Sequence, residues 1–453
     1  MATSYNETTE FIDLKKDIDD MFLLINGIIV SFMQAGFACL ESGAVRTKNT
    51  TNIMMKNLLD LFICSIFYYL IGFPLAYGNG NSFIGMTYWA GTGFQESSLA
   101  FWFFQFVFAA TAATILSGAV AERCNFVAYI VYSGIISGFV YPVVSHWAWH
   151  EEGWMKNMGY KDFAGSGVVH ALAGIASFVA AAFLGPRKGR FPGQPISGHS
   201  TPMLGLGALL LISGFLAFNG GSLGQISGPG DSELVARSMV STIFGGTGAA
   251  IIALVFGRYL SDAPWPFSFT LNCTLAGMVS VCGGPEVYNS WSAMLVGAIG
   301  SVIYTGFHLL VTYIKVDDPL DASPLHFGAG AWGVIARPIF ANDGLIYGNI
   351  DNFPTKISNN IIGLLAIIAW SAITSIILFG ALKVTGFLRI SEEEEIIGLD
   401  LSKHGENAYP SSAWERTSSS WVEGDILANS SDCKLEKINY DNYAFQMEKR
   451  HER

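Results

Sequence analysis

Charged residues are scarce in this chain: Asp, Glu, Lys and Arg together make up 13% of its 453 residues, against about 25% in soluble domains. Hydrophobic residues make up 51%, and there are 50 glycines. This shortage of charge excludes an ordinary soluble protein. Most apolar runs have about the 20 residues that cross a hydrocarbon core as a helix. The composition therefore predicts an all-α polytopic membrane protein.

Motifs for several other kinds of chemistry are also missing. The six cysteines are scattered without a CxxC spacing, which predicts neither a disulfide framework nor a metal site. The string HEEGW begins like a zinc-protease HExxH, but Trp154 stands in place of the second histidine. No GxxxxGK[ST] is present, and no GxGxxG opens a helix after a strand. We expect no metal, no cofactor, no nucleic-acid partner and no enzymatic activity, since no nucleophile and base stand out.

Eleven apolar segments predict eleven transmembrane helices, and the basic residues predict their orientation. Lys and Arg lie in alternate loops, which we expect to be cytoplasmic. An odd number of spans then leaves the amino terminus outside the cell and the carboxyl terminus inside. The predicted spans are 21–40, 57–77, 99–120, 126–149, 165–185, 202–221, 235–256, 266–284, 291–314, 325–340 and 357–386.

The polar ends complete the predicted organisation. Residues 1–20 form an extracellular amino terminus, 21–388 the membrane domain, and 389–453 an acidic cytoplasmic tail. The tail has too little apolar surface for a core of its own, so the run Glu392 to Glu395 and the Ser-rich patch 411–420 are predicted to be flexible. Asn6 begins the one glycosylation sequon that this topology places outside and clear of the bilayer.

Two histidines lie in apolar segments of similar sequence. His170 is in HALAG and His326 in HFGAG, each with a glycine four residues later. Titratable rings are costly in a bilayer and usually face a bundle interior or pore, where they could hold or transfer a proton. Two unrelated packing histidines are the alternative. His170 falls in the fifth predicted span and His326 in the tenth. Spans one to five and spans six to ten would therefore form an inverted five-helix repeat.

An acid precedes each histidine: Asp162 by eight residues and Asp321 by five. Asp162 lies just before the glycine-rich AGSG, so it could simply cap the fifth helix. In such repeats the substrate path commonly runs near the midplane between the two halves. This arrangement would bring the two histidines together there.

Aromatic residues cluster near the predicted outer ends of the spans. Phe104 and Phe108 share one helical face, Phe218 closes the sixth span beside Ser222, and Trp149 ends the fourth. Such residues normally serve packing or an interfacial belt. A ring face with a hydroxyl could instead hold a small cation by about 0.5–2 kcal/mol. That attraction could recruit an ion but could not carry a bare charge through a dry pore.

Five motifs in order resemble the ammonium transporter side of the Amt, Mep and Rh family: GAVAERCNF, DFAGSGVVHALAG, FNGGS, DDPLDASPLHFGAGAWG and GLDLSKHGE. The match runs from the first span to about residue 410. The resemblance implies an eleven-helix pseudo-twofold bundle, a homotrimer and one pore per protomer. By position it implies that Phe104, Trp149 and Ser222 form an external recruitment site and that Phe108 and Phe218 form a phenyl gate. It also implies that His170 and His326 are the histidine pair of the pore and that Asp162 is the aspartate needed for conduction.

Two further features bear on this resemblance. His150, Glu151 and Glu152 stand where many relatives have glycines, so the outer vestibule is expected to be more acidic. In some relatives a hydroxyl residue at the position of Ser402 is phosphorylated, and the tail contacts the neighbouring subunit. Ser402 is therefore a candidate switch, the alternative being an ordinary exposed serine. Beyond residue 410 the tail matches nothing in the family.

The expected function is transport of ammonium and methylammonium across the cell membrane. Potassium is similar in size to ammonium but has no proton to give, so deprotonation at the pore entrance would distinguish the two ions. We favour net transport of charge with the nitrogen. The same residues would also suit an electroneutral ammonia channel, and an ammonium sensor signalling through its tail is a third hypothesis.

Overall fold

The computed structural model describes residues 7–191, 193, 196–260, 263 and 265–410, and over these ranges the chain is helical with no β-strand. Eleven helical segments of 15 residues or more follow one another in these ranges, which confirms the predicted fold class. Four of them contain a π-helical turn. The helices are α1 (Glu7–Ala44), α2 (Thr50–Phe67, continuing to Tyr77), α3 (Leu99–Val120), α4 (Phe126–Ile135, then Tyr141–Trp149), α5 (Ser166–Ala171, then Leu172–Leu184), α6 (Thr201–Gly221), α7 (Asp231–Leu260), α8 (Phe267–Val281), α9 (Ser290–Tyr313), α10 (Pro324–Gly328, then Ala329–Phe340) and α11 (Phe353–Val384).

Two of these helices are short. In the part of the chain that the structure describes, nine helical segments are long and apolar enough to span a membrane alone, whereas α8 has only 15 residues. At about 1.5 Å per residue such a helix rises about 22 Å, less than the roughly 30 Å of a hydrocarbon core. The second half of α8, from Leu271, and most of α10 are buried. Both helices pack inside the bundle, so other helices cover much of their length.

Helix α1 begins earlier than predicted. The sequence predicts its span from residue 21, but the helix begins at Glu7 and includes the acidic segment. The Lys15 ammonium lies 4.9 Å from the Phe11 ring centre, one helical turn away. The Asp19 carboxylate accepts hydrogen bonds from the backbone amides of Ile226 and Ser227 at 2.7 and 2.9 Å. The extra turns are therefore anchored to the loop before α7.

Glycines let α5 and α10 cross at close range. A Cβ on Gly174 would lie 2.2 Å from the Phe327 amide nitrogen, and one on Gly330 would lie 2.4 Å from the Ser166 carbonyl oxygen. A larger side chain at either position would force the two backbones apart. These are the glycines four residues after each histidine, so the repeated sequence pattern has a packing cause that places the two histidine segments side by side.

A buried ionic network joins the loops at one end of the bundle, here called the basic end. The Glu122 carboxylate binds Arg46 and Arg187 at 2.9 and 3.0 Å, and Arg187 also binds Asp317 at 2.8 Å. Burial opposes the charge on Glu122, but Arg187 and Arg46 outweigh that cost and hold the pKa of Glu122 below its usual value. The loops that follow α1, α3, α5 and α9 are tied together.

The acidic run predicted to be flexible instead forms a short helix, α12 (Glu392–Ile397). The Ser391 hydroxyl accepts from the Glu394 amide while the Glu394 carboxylate accepts from the Ser391 amide, which is a capping box. Acidic residues in the first turn also favour the helix dipole. Glu395 is buried and binds Arg389 at 2.8 Å. The prediction of flexibility is wrong for this run because the capping box and the buried Glu395–Arg389 pair hold it as a helix.

Candidate functional site

A cavity of about 300 Å³ opens at the end of the bundle that carries Trp149, here called the outer pocket. The three residues predicted for recruitment all line it: Phe104, Trp149 and Ser222. The Trp149 indole donates to the Asp162 carbonyl oxygen at 2.8 Å, and the Ser222 hydroxyl donates to the Phe218 carbonyl oxygen at 2.7 Å. The Ser222 oxygen keeps lone pairs that can accept a hydrogen bond from a ligand. The pocket thus combines ring faces with an acceptor.

The outer pocket also contains a residue that the sequence analysis missed. Lys156 lines it, and its Nζ donates to the Trp149 carbonyl oxygen at 3.2 Å and to Glu151 at 2.7 Å. A single lysine in a short helix carries no motif, so nothing in the sequence indicated its position. The acidic character expected from Glu151 and Glu152 is therefore offset by a positive charge in the pocket.

Two phenyl rings separate the outer pocket from the histidines. The rings of Phe108 and Phe218 are stacked, with centres 4.1 Å apart and planes 19° apart. Phe104 lies above them, its ring centre 5.0 Å from that of Phe108. All three side chains are buried. The two residues predicted to form a gate therefore stand as a stacked pair.

The two histidines meet behind these rings. His170 Nδ1 lies 3.1 Å from His326 Nδ1, with the two ring planes 15° apart. The ring centre of His170 lies 5.6 Å from that of Phe218. Both rings are buried. When both imidazoles are neutral, one Nδ1–H donates and the other Nδ1 accepts, so the two rings hold opposite tautomers. A proton passing along the pair would exchange these tautomers, an arrangement suited to transfer.

Asp162 has the geometry of a helix cap. Its Oδ1 accepts from the Gly165 amide at 3.1 Å, and its Oδ2 accepts from the amides of Gly167 and Val168 at 2.8 and 3.0 Å. The Tyr160 hydroxyl donates to the same Oδ2 at 3.2 Å. Four donors thus converge on one carboxylate at the start of α5, where the helix dipole also favours a negative charge. Capping and an electrostatic role are compatible in this geometry.

The second half of the bundle has a corresponding cap, but the capping residue is Asp318 and not Asp321, which the sequence analysis paired with Asp162. Asp318 accepts from the amides of Ala322 and Ser323 at 3.0 and 2.7 Å, before α10. It precedes His326 by eight residues, the same spacing as Asp162 to His170. Asp321 instead binds the Tyr304 hydroxyl and the His308 ring, each at 2.8 Å. Equal spacing was the signal that would have identified the pair.

Beyond the histidines a path leads to the basic end. A cavity of about 30 Å³, large enough for a water molecule, is lined by His326, Glu41 and Asn272. A vestibule of about 410 Å³ is lined by Asp321 and shares Asn272 and Leu320 with the small cavity. Neighbouring residues thus link the outer pocket, the rings, the histidines and these two cavities in series.

Comparison with known proteins shows the family of this chain. The sequence model of the Ammonium Transporter Family matches residues 21–409. The chain belongs to the ammonium transporter family. A Caenorhabditis elegans protein named as an ammonium transporter 1 is 44% identical, the match covering 91% of this chain and 85% of that protein. Ammonium transporter 1 member 3 of Solanum lycopersicum is 39% identical, over 88% and 94% of the two chains.

Solved structures of similar fold extend the comparison. A protein titled Sensor Amt Protein superposes with a TM-score of 0.81 at 29% identity, covering 86% of this chain and 99% of that one. Candida albicans Mep2 superposes with a TM-score of 0.76 at 23% identity, covering 83% and 87%, and supports the fold alone. This ammonium transporter family member is thus a multi-pass membrane protein whose relatives are transporters, not enzymes.

Ser402, the predicted switch, lines none of these three cavities. Ser402 is in the tail, in a π-helical turn (Asp400–His404), and its hydroxyl oxygen is buried. Asn6, the predicted glycosylation site, lies outside the described residues, as does the Ser-rich patch 411–420. Neither prediction about these last two positions is tested.

Replacing one gate ring separates gating from packing. We expect Phe218→Ala to change the rate or selectivity of methylammonium uptake while leaving the assembled protein folded, because Phe218 belongs to a much larger buried surface. Uptake of labelled methylammonium and of potassium in proteoliposomes measures this effect. Wild-type rate and selectivity in the folded variant would make Phe218 a packing residue.

Proposed function

We propose that this protein transports ammonium and methylammonium across the cell membrane with net movement of positive charge. The observation that carries the proposal is the order of groups from the outer pocket to the basic end: ring faces with an acceptor, stacked phenyl rings, a histidine pair and a small, mostly apolar cavity that includes Glu41 and Asn272. Each group suits one step of ammonium passage.

Recruitment is the first step. Phe104, Trp149 and Ser222 surround a cation with ring faces and one hydroxyl oxygen, for an attraction of about 0.5–2 kcal/mol. This energy can concentrate ammonium at the pocket floor but cannot replace the hydration of a bare cation. The stacked rings of Phe108 and Phe218 therefore block any ion that must remain charged.

Deprotonation is the second step. Ammonium gives up one proton, neutral ammonia passes the rings when they part, and the proton passes separately to the histidine pair. His170 receives it on one ring nitrogen while the shared Nδ1 hydrogen moves to His326, which releases a proton towards the small cavity. Ammonia and the proton recombine in the vestibule at the basic end. One nitrogen and one positive charge cross together, whereas potassium is rejected because it has no proton to donate.

Orientation and assembly form the rest of the proposal. The loops at the basic end carry the lysines and arginines, so we infer that this end is cytoplasmic and that the Trp149 end is extracellular. The amino terminus is then extracellular and the tail cytoplasmic. The resemblance to the family supports a homotrimer with one pore per protomer. Large apolar side chains on the outer faces of α1 and α7, such as Phe32 and Val255, are exposed and suit contact with lipid or with other subunits.

Transport can be tested on the purified protein. In proteoliposomes fused to a planar support, addition of ammonium or methylammonium is expected to evoke an inward current, and potassium none. Equal currents with ammonium and potassium would contradict deprotonation. A protein that binds ammonium but conducts nothing would favour the sensor hypothesis, to which the name of the Sensor Amt Protein relative and the docked tail lend some support.

The tail is held by specific contacts at the basic end. Lys48 donates to the carbonyl oxygens of Glu395 and Ile396 at 2.9 and 2.6 Å. The backbone N–H of Asn52 donates to the Asp400 carboxylate at 2.9 Å. Two residues later the Ser402 hydroxyl oxygen is buried, and among the described residues it has no hydrogen-bond partner. A phosphate there would bring about two negative charges next to Asp400.

We therefore expect Ser402→Asp to detach the tail and reduce transport while surface expression stays intact. Ser402→Ala is the matched control, because it removes the hydroxyl without adding charge and should keep most activity. Co-expression of wild-type and Ser402→Asp subunits measures coupling: activity should fall by more than the mutant fraction. A strictly proportional fall would argue against coupling between subunits, and an unchanged rate would remove Ser402 as a switch.

A further inference from the structure

The outer pocket carries a positive charge that opposes the cation it is proposed to recruit. Lys156 lies in the short helix Trp154–Met158 and lines the pocket together with Trp149 and Ser222. Its Nζ donates to the Trp149 carbonyl oxygen at 3.2 Å. The lysine ammonium group therefore already occupies a hydrogen-bond acceptor of a recruitment residue.

A lysine side chain and an ammonium ion present the same chemistry, a positive nitrogen surrounded by N–H donors. They compete for the same acceptors and repel each other. We propose that Lys156 acts as a tethered competitor that sets the affinity of the outer pocket for ammonium, and that Glu151 partly neutralises its charge. This inference rests on the proposed function, since it assumes that the outer pocket recruits the substrate.

The contacts of the neighbouring acids support the role of Glu151. Glu151 pairs with Lys156 at 2.7 Å, and its own side chain is 87% exposed. Glu152 points elsewhere, accepting from the Gly80 amide at 3.1 Å. Because exposed ion pairs are weak, the Lys156 ammonium is easily released. Glu151 therefore partly neutralises Lys156 without removing it from the pocket.

Removing the charge should tighten substrate binding. For two unit charges about 7 Å apart in a water-like medium, repulsion weakens binding by about threefold. We expect Lys156→Met to lower the KM for methylammonium current by about threefold at low ionic strength, with the maximal current unchanged. The difference should shrink as sodium chloride approaches 1 M, where charges are screened within about 3 Å. Glu151→Gln should raise KM, because Lys156 keeps its charge and loses its counter-ion.

The chain offers a closely matched control. Lys356 pairs with Asp343 at 2.6 Å and is 34% exposed, against 35% for Lys156, but it does not line the outer pocket. Lys356→Met should leave KM unchanged. If Lys156→Met and Lys356→Met shift KM equally, or if neither shifts it at low ionic strength, the proposed role of Lys156 is wrong.

Trp149→Leu separates this inference from the proposed function. If Trp149→Leu raises KM while Lys156→Met leaves it at the wild-type value, recruitment at the pocket stands and Lys156 has no part in it. If Trp149→Leu has no effect on KM, recruitment at this pocket fails and the inference fails with it. Both proposals hold if Trp149→Leu raises KM and Lys156→Met lowers it. Melting temperature and elution volume of each variant confirm that the compared proteins are folded.

Discussion

His170→Ala is expected to abolish methylammonium uptake, or to reduce it by more than about tenfold. His170 Nδ1 lies 3.1 Å from His326 Nδ1, and the alanine variant leaves that buried nitrogen without its partner and breaks the path of the proton. His326→Ala should have a similar effect, because the transfer needs both rings. Labelled uptake and current are measured on variants that keep the wild-type assembly.

A second replacement at the same position separates proton transfer from packing. His170→Glu restores a group that can bind and release a proton, and we expect it to recover current while admitting potassium, since a carboxylate attracts any cation. His170→Ala does neither. Full uptake with unchanged ion selectivity in His170→Ala would end the proton-relay role and return both histidines to packing.

Asp162→Asn is expected to give a folded protein that does not transport. The Asp162 backbone carbonyl accepts from the indole of Trp149, which lines the outer pocket. We propose that the nearby carboxylate charge stabilises a cation in that pocket, which an amide cannot do. The variant also weakens the cap, because both carboxylate oxygens accept hydrogen bonds and an amide nitrogen would face a donor. A loss of about 1–2 kcal/mol of stability is expected from that change alone.

The loss of charge and the loss of the cap therefore need separate controls. Tyr160→Phe removes one donor to Asp162 but keeps the charge, so transport should survive. Asp318→Asn damages the corresponding cap of α10 and should lower the melting temperature by a similar amount while retaining more transport than Asp162→Asn. Near-normal transport by Asp162→Asn would leave this residue a purely structural cap.

Much of this architecture follows from local sequence. Long apolar runs predict the helices, and the similar contexts of His170 and His326 predict a repeat that brings the two rings together. The two rings meet because the glycine four residues after each histidine allows α5 and α10 to approach closely. The aromatic residues expected at the outer end also line one pocket.

The remaining features depend on side-chain contacts that composition and charge do not specify. Lys156 enters the outer pocket only because its short helix folds back under Trp149. The run from Glu392 to Glu395 looked disordered by charge alone, yet one end is capped by Ser391 and Glu395 is bound by Arg389. Lys156 contacts Trp149 seven residues away and Glu395 contacts Arg389 six residues away, so specific side-chain contacts decided both outcomes.

The charge that accompanies each transported nitrogen tests the account most directly. Purified protein is reconstituted in voltage-clamped proteoliposomes, and current and uptake of labelled methylammonium are recorded on the same preparation. Deprotonation followed by proton transfer through His170 and His326 predicts about one elementary charge per methylammonium, and the loss of both signals in His170→Ala. Wild-type uptake without accompanying current would contradict the account and indicate an electroneutral ammonia channel.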